Sequence, residues 1–235
     1  ANNAPISISN TAGAITISNA VTAHGSGDVT LNATTLLTVD AVVSSTTGDL
    51  SLTGGTGVTH TAAGDLTTTG VGTIGVTAST GDITMVGGTI YSTGSGTVTL
   101  LAATNVVLGE ITTTSSAINV TATAGAITDA TPAADTTTNL TGGTVTLVAG
   151  TGIGATGATA DIDTAAVTLI STSGTGGTYV TEADGVALGS GAGGNTSTGP
   201  IVIVAGGAIT TGNTITTTAN NAPISISNTA GAITI

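Results

Sequence analysis

The residues best suited to chemistry in this sequence are its aspartates, which recur in similar settings before apolar stretches. Four of them follow a glycine in a Gly-Asp pair, and two more flank an isoleucine in the stretch DID. Calcium prefers several carboxylate and carbonyl oxygens as ligands, so these side chains are candidate calcium ligands. None of them lies in an EF-hand loop or in a Gly-Gly-x-Gly-x-Asp repeat. The six candidates are Asp28, Asp49, Asp65, Asp82, Asp161 and Asp163.

The aspartates also have a simpler interpretation as charged turn residues. If Asp28 and Asp49 stack on neighbouring strands, two like charges lie about 5 Å apart, which is unfavourable. A bridging calcium ion would relieve this repulsion. Solvated carboxylates that keep the protein soluble and discourage lateral aggregation are the preferred alternative. We therefore predict no required cofactor, and calcium remains the alternative.

Catalytic chemistry has little support in the sequence. The two histidines, His24 and His60, lie 36 residues apart near turn-rich segments, and we interpret both as surface residues. Serine and aspartate are so frequent that a Ser-His-Asp triad carries no information here. Polysaccharide lyase chemistry needs a basic group for the developing anion, and the chain has no Lys or Arg. We predict that the protein is not an enzyme.

The composition excludes several classes of partner. The chain has 235 residues, no Lys or Arg, and a formal net charge of −12. Binding to nucleic acid or to anionic lipid needs cationic side chains, so neither is expected. No run approaches eighteen apolar residues, so we predict no membrane insertion. Because the chain is 39% hydrophobic and only 5% charged, we expect it to fold.

A short apolar-x-apolar triplet returns throughout the chain. Ten copies are separated by nine steps of 20 to 34 residues, which average about 24 and add up to 218. Alternation with a period of two indicates β-strands, with threonine outward and Ile, Val or Leu inward. We expect three short strands in each step. The longest step contains residues 178–199, which we interpret as a loop insertion whose segment 190–199 protrudes. The ten copies are PISI 5–8, DVTL 28–31, DLSL 49–52, TIGV 73–76, TVTL 97–100, AINV 117–120, TVTL 144–147, AVTL 166–169, PIVI 200–203 and PISI 223–226.

Strands without helices, repeated every 20 to 27 residues, predict an all-β right-handed parallel β-helix, that is, a β-solenoid. An antiparallel sandwich also contains many short strands, but it does not explain a triplet that returns once per step. We expect about nine coils of roughly 24 residues in 218 residues. At about 4.8 Å per coil, nine coils rise about 43 Å.

The segments GDVTLNATT, GDLSLTGGTG, GDITMVGGTI and AINVTATAGAITD resemble the repeat regions of filamentous-haemagglutinin-like bacterial adhesins of the two-partner-secretion type. The resemblance covers essentially the whole chain. It implies a β-helix that is exported to the cell surface or the extracellular space, where it serves attachment. Cell-surface glycans and other fibres are the partners that it suggests.

The chain begins and ends with the same seventeen residues, ANNAPISISNTAGAITI, at 1–17 and 219–235. We interpret residues 1–218 as one repeat unit and residues 219–235 as the start of the next. Further copies of the unit, joined covalently or stacked head to tail, are then the main partner. The residues expected at the junction are Pro5, Ile6, Ile8, Pro223, Ile224 and Ile226.

The sequence therefore predicts a structural subunit of an extracellular fibre that serves as an adhesin, matrix or surface filament. A ligand-binding adhesin segment, with calcium or carbohydrate as ligand, is the first alternative. Threonine-x-threonine pairs at 67–69, 97–99, 112–114, 121–123, 144–146 and 214–216 make an ice-binding solenoid the second.

Overall fold

A computed structural model describes residues 3–131, 137–157 and 160–235 of the chain. These residues form 28 β-strands and no helix. Within the same ranges, no helix is long and apolar enough to span a membrane. The strands are β1 Ile6–Ser9, β2 Ile15–Ile17, β3 Val21–Thr22, β4 Val29–Ala33, β5 Leu36–Val39, β6 Val43–Ser45, β7 Leu50–Gly54, β8 Gly57–His60, β9 Leu66–Thr68, β10 Ile74–Ala78, β11 Ile83–Met85, β12 Ile90–Thr93, β13 Val98–Ala102, β14 Val106–Leu108, β15 Glu110–Thr113, β16 Ile118–Ala122, β17 Ile127–Asp129, β18 Leu140–Ala149, β19 Gly152–Ile153, β20 Ile162–Ser173, β21 Gly177–Glu182, β22 Val186–Leu188, β23 Asn195–Ser197, β24 Ile201–Ala205, β25 Ile209–Thr211, β26 Ile215–Thr217, β27 Ile224–Asn228 and β28 Ile233–Thr234.

The chain winds into a right-handed parallel β-solenoid of about ten coils of about 23 residues, which confirms the predicted fold class. From β1 to β15, each strand pairs in parallel with the strand three places further along the chain, as β1 does with β4 and β4 with β7. The interval shortens from β16 to β19, because β18 and β20 each span two faces. The register keeps like positions together, so that Ile6 faces Val29 and Ile8 faces Leu31. This geometry explains the spacing of the first seven triplets, each of which contributes one rung of the same face. The eighth triplet departs from the prediction, since Leu169 lies above Val145 and Val167 is 70% exposed.

The lower section of the rod, up to Ser173, has three faces. Face A consists of β1, β4, β7, β10, β13, β16 and the second halves of β18 and β20. Face B consists of β2, β5, β8, β11, β14, β17 and β19. Face C consists of β3, β6, β9, β12, β15 and the first halves of β18 and β20.

The core fills the lumen, where alternate residues of each strand point inward. On face A two inward columns run along the axis and are at most 1% exposed between coils β4 and β18. Burial of apolar surface contributes about 25 cal/mol per Å², and every coil adds to it. The first inward column contains Val29, Leu50, Ile74, Val98, Ile118 and Val145, and the second contains Leu31, Leu52, Val76, Leu100, Val120 and Leu147.

The expectation that threonine points outward is wrong at one corner of the lumen. Ser45, Thr68, Thr93 and Thr113 form a buried column at the end of face C. Their hydroxyls donate to backbone carbonyls; Thr68 Oγ1 to Gly72 O is 2.9 Å and Thr93 Oγ1 to Gly96 O is 2.6 Å. A buried hydroxyl is tolerated when it has a hydrogen-bond partner. The column therefore ties each corner turn to the strand that precedes it.

The corner between faces C and A needs glycine because successive coils approach closely there. A Cβ atom on Gly48 would lie 2.2 Å from the carbonyl oxygen of Gly27. On Gly72 it would lie 2.1 Å from Gly48 O, and on Gly96 only 1.8 Å from Gly72 O. Real Cβ atoms do not approach backbone oxygens so closely, so a glycine is required in each of these coils.

The upper section has different faces, built by the segment that we interpreted as a loop insertion. Residues 178–199 instead contribute to β21, β22 and β23, so the insertion prediction is wrong. Within 190–199 only Gly191, Ala192 and Thr198 are exposed, whereas Asn195 is fully buried. Three new faces follow: face D is β21, β24 and β27; face E is β22, β25 and β28; face F is β23 and β26.

Candidate functional site

The first copy of the seventeen-residue segment pairs with the coil above it. Ile6 and Ile8 of β1 pair with Val29 and Leu31 and are half-buried, whereas Pro5 is exposed. The Ile6 N–H donates to the Asp28 carbonyl at 2.8 Å. In this copy, therefore, the upper edge of the segment makes the ladder hydrogen bonds.

The second copy of the segment pairs with the coil below it. Ile224 and Ile226 of β27 pair with Ile201 and Ile203 of β24. The carbonyl of Pro223 accepts the N–H of Ile201 at 3.0 Å. Ile224 is 45% exposed, and among the described strands β27 pairs with β24 below it and with none above it.

The two copies together display both edges of one segment. Ile6–Ser9 and Ile224–Asn228 begin at the same residue of the repeat and form the same strand, which is one residue longer in the second copy. Proline lacks an N–H donor, so Pro223 needs no acceptor below it and offers only its carbonyl to Ile201. Each predicted junction residue is compatible with an interior coil that is paired on both sides.

The candidate calcium ligands before face A act as hydrogen-bond acceptors for the next coil. Asp28 and Asp49 stack in register, as expected, since Val29 pairs with Leu50. Oδ1 of Asp28 accepts the backbone N–H of Asp49 at 2.8 Å. Oδ1 of Asp49 accepts the N–H and the hydroxyl of Thr73 at 2.7 and 2.9 Å.

Asp65 and Asp82 do the same at the other two corners. Oδ1 of Asp65, before face C, accepts the Ile90 N–H at 2.8 Å. Oδ1 of Asp82, before face B, accepts the Thr104 hydroxyl and the Asn105 N–H, the latter at 2.8 Å. The Thr104 hydroxyl and then the Asn105 N–H lower the pKa of Asp82, because these donors stabilise the carboxylate.

Asp161 and Asp163 lie at the start of β20. Oδ2 of Asp161 accepts the hydroxyl of Thr181 in the coil above. The backbone N–H of Asp163 donates to Oδ1 of Asn139 at 3.0 Å. Asp161 is 9% exposed and forms part of the wall of an open surface cavity of about 310 Å³ beside Tyr179.

The six aspartates are distributed over three corners of the rod and over several coils. Within residues 3–131, 137–157 and 160–235, no group of three or more His, Cys, Asp or Glu side chains is placed to hold a metal ion. Calcium binding stays an alternative, and the geometry favours capping of backbone N–H groups for four of the six.

Sequence reasoning missed that asparagine takes the same role. Asn10, Asn105 and Asn139 each accept a backbone N–H from the next coil, at 2.9 to 3.0 Å. The signal was present in the spacing, because Asn105 precedes Val106 just as Asp82 precedes Ile83 and these two strands pair. The shared property is a short side-chain oxygen at the corner and not its charge.

The interpretation of His60 as a surface residue is wrong. His60 and Tyr91 are both 0% exposed and meet edge to face inside the lumen, with ring centroids 5.1 Å apart. His60 Nδ1 lies 2.7 Å from Gly64 O, and burial lowers the pKa of His60 to about 4. A neutral ring enclosed in the core has no access to a substrate, whereas His24 is exposed.

The outer surface carries a regular hydroxyl column on face C. Its members pair one above the other through six coils, although the steps between coils differ in length. The turns at the corners contain the extra residues of the longer coils, so the column of hydroxyls stays continuous. It consists of Thr22, Ser44, Thr67, Ser92, Thr112 and Thr141.

Fold and surface define a parallel β-solenoid whose candidate functional features are its stacking edges and its polar outer columns. In comparisons with known proteins, no protein-family model, no curated protein and no solved structure matches the chain. A β-solenoid is compatible with structural and adhesin roles.

Proposed function

We propose that this chain is a structural segment of an extracellular fibre, built from consecutive 218-residue solenoid units. The observation that carries the proposal is the pair of identical terminal segments. One copy pairs through its upper edge with β4, and the other pairs through its lower edge with β24. A segment that uses both edges is an interior coil, and a further unit that follows residue 218 would continue the ladder without an exposed edge.

The chemistry of the rod supports a mechanical role. Each coil adds parallel ladder bonds, each of which contributes about 0.5–1.5 kcal/mol net, and a continuous apolar lumen. Exposed strand edges invite uncontrolled pairing, and consecutive units would remove them everywhere except at the fibre ends. The resemblance to exported adhesin repeats agrees with an extracellular location, where other fibres and cell-surface glycans are the proposed partners.

A two-unit chain tests this proposal. Residues 1–218 followed by residues 1–235 should form one rod, longer than the 235-residue chain by about 45 Å at about 4.8 Å per coil. Length is measured by electron microscopy and by small-angle scattering. A matched control carries aspartate at Ile224 and Ile226, where the buried charges should separate the two units. Two independent bodies in the unaltered chain would refute the fibre.

The hydroxyl column on face C favours ice binding as the second candidate function. Its members repeat at about 4.8 Å along the axis, and Thr22, Thr112 and their neighbours point outward. A thermal-hysteresis measurement tests it directly. The variant Thr67→Val with Thr112→Val removes hydroxyls without changing side-chain shape much, so retained hysteresis in this variant would exclude the column as the ice-binding surface.

A further inference from the structure

We propose that the 218-residue unit reverses the sides of the rod, so that the strand ISIS lies on opposite sides of the fibre in consecutive units. For consecutive units this rests on the proposed function. Within one chain it rests only on the pairings of β18 to β28.

The first part of the reversal is a merger of two faces. The six-residue strand β21 covers both face B and face C of the coil below. Its first residues stack on β19, with Thr178 above Ile153, and its last residues stack on β20, with Glu182 above Thr164. The corner between faces B and C is therefore replaced by a straight strand, which becomes face D.

The second part is the division of face A. Strand β20 runs without interruption from face C into face A, and two separate strands stack on its second half. Leu188 of β22 lies above Leu169, and Asn195 of β23 lies above Ser171. A new corner forms between these strands at Gly189, whose φ of +78° is strained for any other residue. Face A thus becomes faces E and F.

Buried polar groups stabilise the coil in which the faces change. The turn after β21 leaves the N–H of Ala166 without a strand above it, and the carboxylate of Glu182 accepts this N–H at 3.0 Å. At the new corner, Asn195 Nδ2 donates to Leu169 O at 3.1 Å. The Ser171 hydroxyl donates to Asn195 Oδ1 at 2.8 Å.

The burial of these polar side chains indicates that the sequence of this coil is specific for the exchange of faces. Glu182 is 1% exposed, and Asn195 and Ser171 are 0% exposed. Burial of such groups costs free energy unless each finds a partner. Each of the three has such a partner: Glu182 accepts the Ala166 N–H, and Asn195 bonds both to Ser171 and to Leu169 O.

The identical segments consequently lie on different faces. The second copy, in β27, stacks on β24 and β21 and lies on face D, above the former faces B and C. The first copy, in β1, lies on face A, on the opposite side. A following unit would begin on face D of this one, so a given outward surface returns to the same side only in every second unit.

The consequence for partners is geometric. The outward side chains of β1 and β4 form one surface per unit, and reversal places this surface alternately on two opposite sides of the fibre. A neighbouring fibre of the same chain that recognises this surface therefore finds it on both sides, which suits a layered matrix more than a single pair of fibres.

Distances between spin labels test the reversal in the chain as it exists, which contains no cysteine. Ser9, Thr216 and Ser227 are all exposed. Nine successive pairings place Thr216 above Ser9, whereas Ser227 is the copy of Ser9 in the repeat. Cysteines are introduced as the pairs Ser9→Cys with Thr216→Cys and Ser9→Cys with Ser227→Cys, and nitroxide distances are measured by pulsed electron paramagnetic resonance.

The first pair should lie about 43 Å apart, which is nine coils. The second pair should be longer by about 5–10 Å, because labels that point away from each other on opposite walls are offset sideways by about 20 Å, at a right angle to the axial rise. A shorter distance for the Ser227 pair than for the Thr216 pair would overturn the reversal. The pair Ser9→Cys with Thr121→Cys, five coils apart, calibrates the rise at about 24 Å, and a clearly different value would overturn the reversal together with the solenoid.

The two proposals fail in different ways. If the two-unit chain forms separate bodies while the label distances agree, the fibre is wrong and the reversal within the chain stands. If the two-unit chain forms one rod while the Ser227 pair is the shorter, the fibre stands and its units do not alternate.

Discussion

The carboxylate of Asp28 accepts the backbone N–H of Asp49, which lies directly above it in the next coil at 2.8 Å. Two like charges are thereby stacked, and the chain has no Lys or Arg side chain that could lie between them. The arrangement is tolerated because Oδ1 of each carboxylate accepts a backbone N–H from the coil above and both groups are exposed at the corner. Asp49 continues the series by accepting two donors from Thr73.

Substitution of Asp49 should therefore act through its acceptor and not through its charge. Asp49→Ala leaves the Thr73 N–H and hydroxyl without this partner, and we expect a loss of about 1 kcal/mol in the free energy of unfolding. Asp49→Asn keeps an acceptor oxygen and should lose much less. Urea denaturation of both variants measures the difference, and equal losses would show that the charge is what matters.

Calcium and magnesium should stabilise the protein equally. Within the part of the chain that the structure describes, the aspartates form no group of three metal ligands, so a divalent cation is expected to act by screening the net charge of −12. Melting temperatures are compared in the two chloride salts at the same ionic strength, after removal of trace metal with a chelator. A calcium-specific increase of several degrees would support the calcium alternative instead.

Gly96 should not tolerate alanine. A Cβ atom there would lie 1.8 Å from the carbonyl oxygen of Gly72, so neighbouring coils would have to separate. We expect a loss of about 3 kcal/mol in the free energy of unfolding.

Gly75 is the matched control, because it lies on face A and a Cβ atom there would meet only Leu50 O, at 3.9 Å. Gly75→Ala should be neutral or slightly stabilising, since glycine is unfavourable within strands. Thermal unfolding of both variants gives the comparison. Similar melting temperatures would contradict the close approach of coils at the corner.

The face-A rungs were predictable because their signal is local. Val29 and Leu31, or Leu50 and Leu52, alternate with outward residues within one strand, and each such strand returns after one coil. The position of His60 was also available in the stretch GVTH, where it follows Val58 at the inward spacing of two. It was misjudged because histidine is usually exposed.

The exchange of faces was hidden for a physical reason. Strands β21 and β23 place Thr178, Glu182, Asn195 and Ser197 inward, so the apolar alternation that marks other strands is missing. Which strand lies above which face depends on pairing between residues about 20 apart, and no local pattern records it. The asparagine caps were likewise missed because their partners lie one coil away.

His60 should make the protein sensitive to acid. Its pKa is lowered to about 4 by burial, so between pH 6.5 and 4 the unfolded chain binds a proton that the folded chain does not. The free energy of unfolding should fall over this range by about 3 kcal/mol from this residue alone. His60→Leu removes the titration, although it also loses the contact with Gly64 O and should lower stability at pH 8.

The measurement is the slope of stability against pH and not its value at one pH. Urea denaturation at several pH values should give a smaller acid loss for His60→Leu than for the unaltered chain. His24→Leu is the control, since His24 is exposed, and its slope should match that of the unaltered chain. If the free energy of unfolding changes with pH equally in His60→Leu and in the unaltered chain, His60 is exposed to solvent and not buried.

Glu182 should have the opposite effect on the pH dependence of stability, lowering the free energy of unfolding as the pH rises. Burial raises the pKa of Glu182 to about 7, even though Thr164 and the Ala166 N–H stabilise the charged form. The folded state therefore holds a proton that the unfolded chain releases above pH 4.5, so the contribution of Glu182 is complete below that pH and is lost as the pH rises through 7.

Glu182→Gln keeps a group that can accept the Ala166 N–H but does not titrate. Its free energy of unfolding should decline less than that of the unaltered chain between pH 4.5 and 8, so that the difference between the two proteins shifts in favour of the variant as the pH rises. Glu110→Gln, on the outer side of β15, serves as the control for the loss of one negative charge. If both variants shift equally, the effect is one of net charge. A shift confined to Glu182→Gln instead links the coil in which the faces change to the acid–base behaviour of the whole rod.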